Sequence, residues 1–286
     1  MDKRIIDLYD DFIHIHFDRR LFIEKAAKIV GGTAAATALL STLQPDYARA
    51  TTIAENDPRI TIEQVTFKGA TGEVKGYLVK PADSAKHGGI VVVHQNLGLN
   101  PHIQDIARRL AVEGYVALAV DLMSPFGGTP KDREEAVKIF KQLDIGKATG
   151  DANAAVAYLR SRSDVNGKVG TVGFCWGGSI INRMAVSNPT LNAAVVYYGA
   201  PPDAADVAKI KVPLLLNYAD PKLDKWLGPL VPGYEEALKA AHINYQLFFY
   251  EGANHAFNDD TSGVYDDGAA KAAWQRTTAL FKANLS

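Results

Sequence analysis

From residue 59 onward the apolar positions follow two rhythms. Residues 59–68 and 74–80 alternate apolar and polar side chains on either side of Gly69-Ala70-Thr71-Gly72, which predicts a β-hairpin at a sheet edge. Ile90-Val91-Val92-Val93 runs apolar without interruption up to His94, as in a strand buried on both faces. Residues 115–120, 168–174, 193–198, 212–218 and 245–250 carry similar short apolar runs and predict further strands. Between them the spacing turns helical. Pro101 suits a first helical turn, and Ile103, Ile106, Ala107, Leu110 and Ala111 then recur on one face up to Gly114. Helices are also predicted over residues 131–145 and 148–160, broken near Gly146, and over 179–186, 234–242 and 269–284. Residues 201–209 read as a polar link with at most a short helix. Strands alternating with helices imply a mostly parallel sheet with right-handed crossovers and helices on both faces. No internal repeat or strong linker interrupts this pattern, so residues 51–286 are expected to form a single α/β domain.

The first fifty residues depart from it. Asp18-Arg19-Arg20-Leu21-Phe22-Ile23-Glu24-Lys25 has the form of a twin-arginine export motif. A modestly apolar run over residues 29–43 follows, then Gln44-Pro45-Asp46-Tyr47-Ala48-Arg49-Ala50 with small residues in an A-x-A arrangement. Charged, apolar and cleavage regions in that order predict an export signal over residues 1–50, the twin-arginine translocase as partner, and a periplasmic or secreted location. The alternative is an amphipathic helix retained by the mature protein. Glycines and threonines leave the apolar run too weak for a stable membrane anchor. Residues 1–50 are therefore set aside from the fold expectation.

Composition narrows the chemistry. A net charge of -1 carries no footprint of nucleic-acid binding. One cysteine, Cys175, excludes an intrachain disulfide and a zinc site built from several thiolates. No cofactor is expected, and no metal, because the spacing of His94 and His102 matches no ligand pattern. Gly173-Phe174-Cys175-Trp176-Gly177 has the spacing of a nucleophile elbow, with glycines where the chain must turn sharply from strand to helix. At a helix N-terminus the free N–H groups favour a thiolate or an oxyanion. Asp220 and Asp224 follow one predicted strand, and His255 follows the last. Catalytic groups of such sheets sit on loops at the carboxyl ends of strands, and nucleophile, acid, histidine is the chain order of α/β-hydrolases. An imidazole can take the thiol proton and return one to a leaving group, while a carboxylate orients the ring. Backbone N–H groups of Trp176 and Asn96 are the expected oxyanion donors.

These motifs resemble the dienelactone hydrolases (carboxymethylenebutenolidases). The likeness rests on His94-Gln95-Asn96-Leu97-Gly98-Leu99-Asn100, on Gly114-Tyr115-Val116-Ala117-Leu118-Ala119-Val120-Asp121-Leu122, on the elbow with Gly178, on Tyr250-Glu251-Gly252-Ala253-Asn254-His255-Ala256-Phe257-Asn258, and on the terminal helix with Trp274. It implies an α/β-hydrolase fold and ester or lactone hydrolysis through a thioester acyl-enzyme. By resemblance Cys175 is the nucleophile, His255 the base and Asp224 the acid, with Asp220 as runner-up. The family usually has a glutamate, thought to help deprotonate the cysteine, where this chain has Gln95. Family arginines that hold a substrate carboxylate are replaced here by Ser124-Pro125 and Asn258-Asp259. A neutral ester or lactone is therefore the expected substrate, with thiol activation falling to His255. The alternative is a binding or stress-response protein on the same scaffold. His94, Trp176 and Phe257 are candidate pocket walls, Phe257 more as packing.

Overall fold

The hairpin expected at the sheet edge is formed by β1 (Ile60–Lys68) and β2 (Glu73–Pro81), closed by a bond from Gly69 N to Gly72 O at 2.7 Å. The computed structural model describes residues 2–14, 18–47 and 50–286. Six further strands follow: β3 (His87–Val93), β4 (Val116–Asp121), β5 (Val165–Phe174), β6 (Ala193–Tyr197), β7 (Leu214–Ala219) and β8 (Tyr245–Tyr250). Together they make one sheet in the order β1-β2-β4-β3-β5-β6-β7-β8. The hairpin joins antiparallel through β2 and β4, and every pairing from β4 to β8 is parallel. This is the mostly parallel sheet of an α/β-hydrolase, with helices packed around it. Val91, Val92, Val172, Val195 and Leu216 have no exposed surface, which is why these strands read as unbroken apolar runs.

Two local expectations are corrected. The break between the helices before the elbow lies at residues 141–144, not at Gly146. It separates α5 (Arg133–Phe140) from α6 (Ile145–Ser161), because the Asp144 carboxylate caps Lys147 N at 2.7 Å and restarts the helix there. The strand expected over residues 168–174 begins earlier, at Val165, with Asn166-Gly167 as an irregularity inside it, where the register against β3 jumps from His87↔Val165 to Gly89↔Val169.

Among the described residues, the first fifty contain the helices α1 (Lys3–His14), α2 (Arg19–Val30) and α3 (Thr33–Leu43). They bury Ile5, Phe22, Leu40 and Leu43 in the same apolar core as the sheet. Among the described residues no single helix is long and apolar enough to cross a membrane, and α2 and α3 are bent by 113° to each other. Ala48 and Arg49, in the expected cleavage pattern, lie outside the described residues.

Candidate active site

Cys175 stands at the turn between β5 and α7 (Trp176–Ser187) with φ 54° and ψ −119°. A non-glycine residue held there carries roughly 1–3 kcal/mol of strain, which persists only when the surroundings overdetermine it. The glycines show how they do. A Cβ on Gly173 would lie 2.3 Å from Gly177 O, and one on Gly177 would lie 2.4 Å from Val93 O. Helix α7 thus sits directly against the ends of β3 and β5. The Cys175 N–H donates to Tyr197 O at 3.0 Å, and the side chain is half-buried. Trp176, the first residue of α7, directs its backbone N–H out of the helix start.

His255 lies beyond β8, fully enclosed, with its ring 4.9 Å from that of Tyr198. Its Nδ1 hydrogen-bonds Asp224 Oδ2 at 2.9 Å, and the residue lines one cavity with Cys175. Burial alone would lower its pKa. The negative charge available on Cys175 and Asp224 outweighs burial and raises the pKa well above that of an ordinary histidine. Asp224 is 2% exposed, and its Oδ1 accepts from Trp226 N at 3.2 Å and Leu227 N at 3.0 Å. Asp220 does other work. It accepts from Lys222 N at 2.9 Å and Gly252 N at 2.9 Å, tying the loop after β7 to the loop after β8.

Gln95 and Asn96 line the cavity beside Cys175 and His255. The Gln95 amide donates to Asp259 Oδ2 at 3.3 Å, so it is turned toward a carboxylate. Thr261 N and Oγ1 hold the other oxygen of Asp259 at 3.0 and 2.5 Å. His94, Trp176 and Phe257 pack outside this cavity. His94 Nδ1 donates to Gln95 O at 2.6 Å and its Nε2 accepts from Leu122 N at 3.1 Å, so both ring nitrogens are engaged with main chain. Burial, partly opposed by Asp121, lowers its pKa and keeps the ring neutral. Phe257 fills the core between Tyr198 and Tyr250. Ser124 serves the backbone, accepting from Lys75 N at 2.9 Å and donating to Asp121 O at 2.5 Å. His102 pairs with Asp260 at 3.0 Å, and Arg109 pairs with the same carboxylate.

The sequence does not announce several cavity residues. Arg133 comes from the start of α5, Tyr9, Ile13 and Pro45 come from the first fifty residues, and Ser262 and Val264 come from the loop after β8. One signal was available. Ile5, Leu8, Tyr9, Phe12 and Ile13 recur at helical spacing, the mark of a helix packed on a core.

Residues 74–285 match the dienelactone hydrolase family. A Synechocystis sp. protein provisionally named carboxymethylenebutenolidase is 31% identical over 240 residues, 77% of this chain and 96% of the relative. A Methylorubrum extorquens protein with the same provisional name is 30% identical over 270 residues, 89% of this chain and 92% of the relative. The crystal structure of a Klebsiella pneumoniae subsp. pneumoniae protein, provisionally described as a dienelactone hydrolase, superposes with a TM-score of 0.70 at 27% identity. It covers 78% of this chain and 98% of the other.

Proposed function

We infer the reaction from one premise: this chain belongs to the dienelactone hydrolase family. It is a hydrolase of the class that acts on lactones or esters. We propose that it works through a Cys175-His255-Asp224 triad and a thioester acyl-enzyme. The observation that carries this reading is the elbow cysteine sharing one cavity with a His255 ring whose Nδ1 is held by a buried carboxylate. The sulfur, having given its proton to His255, attacks the ester carbonyl. A C–S bond forms, and the carbonyl oxygen takes the negative charge against the N–H groups of Trp176 and Asn96. As the C–O bond breaks, the leaving alcohol takes the proton from His255. Water then attacks the thioester, His255 accepts the water proton, the sulfur leaves, and the acid is released. Asp224 fixes the ring tautomer and stabilises the imidazolium.

Gln95 cannot serve as a base, so proton transfer falls to His255. Asp259 and Arg133 both line the cavity, and their formal charges cancel. That balance supports a neutral ester or lactone rather than an anionic one. With residues 51–286, a p-nitrophenyl ester should give a burst of nitrophenolate equal to the enzyme present, lost in Cys175→Ala. A clear preference for anionic esters in a substrate panel would remove the neutral-substrate reading.

The same proposal extends to residues 1–50 as a twin-arginine export signal, with the working enzyme in the periplasm or secreted. Arg19 and Arg20 are exposed, as a receptor-read motif requires. Replacing both with lysine should retain the protein in the cytoplasm; unchanged fractionation would count against export by this route.

A further inference from the structure

The cavity bounded by Cys175 and His255 measures about 30 Å³. A second void against His255, bounded by Ile6, Tyr9, Asp10 and Ile13, measures about 10 Å³. Sites for small molecules run to roughly 300–1,000 Å³, and about 10–15 Å³ of such space holds one water, so these voids admit a water or two and no ester. Tyr9, Ile13 and Pro45 stand where an ester would have to enter.

The contact is built rather than incidental. Tyr9 is 5% exposed and meets Phe22 edge-on at 6.3 Å, with Phe12 at 5.2 Å from Phe22. The Arg133 guanidinium lies 5.9 Å from the Phe12 ring centroid. Asn96, proposed above as an oxyanion donor through its main chain, gives its side-chain amide to Ile13 O at 3.3 Å. Lys225, next to Asp224, pairs with Asp11 at 2.7 Å and reaches Asp7 O at 3.1 Å. Asp46 N donates to Thr261 O at 2.8 Å. The backbone of Thr42 runs so close to the body that a Cβ on Gly263 would lie 2.4 Å from its carbonyl oxygen. Apolar side chains face the site while Arg19 and Arg20 stay exposed on the outside.

We propose that the N-terminal three-helix segment is an intramolecular plug, which keeps the hydrolase latent in the uncut chain and opens the Cys175 pocket when it is removed. This rests on Cys175 being the nucleophile. It joins two properties of one segment: the residues that carry the export pattern also close the site, so hydrolysis is withheld until the segment is lost after Pro45.

The test uses the full chain. Gly263→Val drives a side chain into the Thr42 backbone from outside the catalytic machinery, and Ile13→Glu puts a charge on the plug's buried face. Thermal melting identifies any variant whose body has unfolded; the other variant then carries the test. Both should raise p-nitrophenyl acetate hydrolysis and Cys175 labelling by fluorescein maleimide at least ~10-fold, the ratio expected if the open form is a minor population. Residues 51–286 alone should match or exceed them. That length is a complete fold in relatives, which are matched over 96–98% of their own chains by 77–78% of this one. Labelling that rises without any hydrolysis supports the plug and defeats the esterase reading of Cys175. Cys175-dependent hydrolysis that is equally fast in the full chain, the variants and residues 51–286 overturns the plug and leaves that reading standing.

Discussion

Cys175 is enclosed by two regions held on different terms. Beneath it the elbow, the Asp224 loop and the His255 loop are fixed by main chain. Asp224 takes two backbone N–H groups, Asp220 takes two more, and the glycines of the elbow admit no Cβ. Above it lies a three-helix segment that meets the body through apolar side chains and a few polar ties such as Lys225 to Asp11. The lesson is a division of labour. Reaction geometry sits in loops fixed by main chain, while on the proposal above access to the sulfur is set by a segment held largely through side chains.

The largest effect that sharpens this comparison is expected at Asp224. Asp224→Asn should lower kcat/KM by roughly 10²–10⁴-fold, because the wrong His255 tautomer is favoured. Asp220→Asn, on the same loop, should lose less than about 10-fold and about 1 kcal/mol of stability. Similar losses from both would mean that the loop acts as one unit, contrary to the distinction drawn between them. Next, Gly177→Ala should destabilise the fold by roughly 2–4 kcal/mol in urea denaturation, since the new methyl meets the Val93 and His94 carbonyls. A neutral result would show that the floor is as adjustable as the roof.

The smallest effect concerns Asp260, outside the chemistry. Burial opposes its ionisation, yet the hydrogen bond from His102 and the charge of Arg109 hold it down at about 2. A depressed carboxyl stabilises the fold fully above its unfolded pKa near 3.9. That contribution is lost as pH falls from there through about 2. Asp260→Asn should therefore lower stability at pH 7, where the lost contribution is fully present, and flatten the acid limb of a stability profile between about pH 4 and pH 2.

The body was largely legible in the sequence because its signals are local. Continuous valines at 91–93, the elbow glycines and the order Cys175, Asp224, His255 each report a backbone requirement that nearby residues announce. The separation of Asp224 from Asp220 could only be expected from the family likeness. Both follow one strand, and three-dimensional closure alone puts Asp224 Oδ2 at 2.9 Å from His255. Arg133 reads as an ordinary solvent residue at a helix start, since nothing local says which cavity lies beyond that helix. The first fifty residues present two readings at once. Export chemistry is written in Arg19-Arg20 and the residues after Pro45, whereas packing is written in the spacing from Ile5 to Ile13. Local sequence does not separate the two, because a leader and an amphipathic helix share a modest apolar composition.

The central claim is that His255 activates the Cys175 thiol. It is tested most directly by the rate of iodoacetamide alkylation from pH 5 to pH 10, in residues 51–286, where the N-terminal segment no longer covers the sulfur, and in His255→Ala of the same length. With one cysteine in the chain the label is unambiguous. Cys175 and Asp224 raise the His255 pKa in the folded protein. Alkylation with His255 present should therefore respond to the imidazole and give a pH profile displaced from that of the variant. His255→Ala should follow the titration of an unassisted thiol, near pH 8.5. Superimposable profiles for the two proteins would contradict the account.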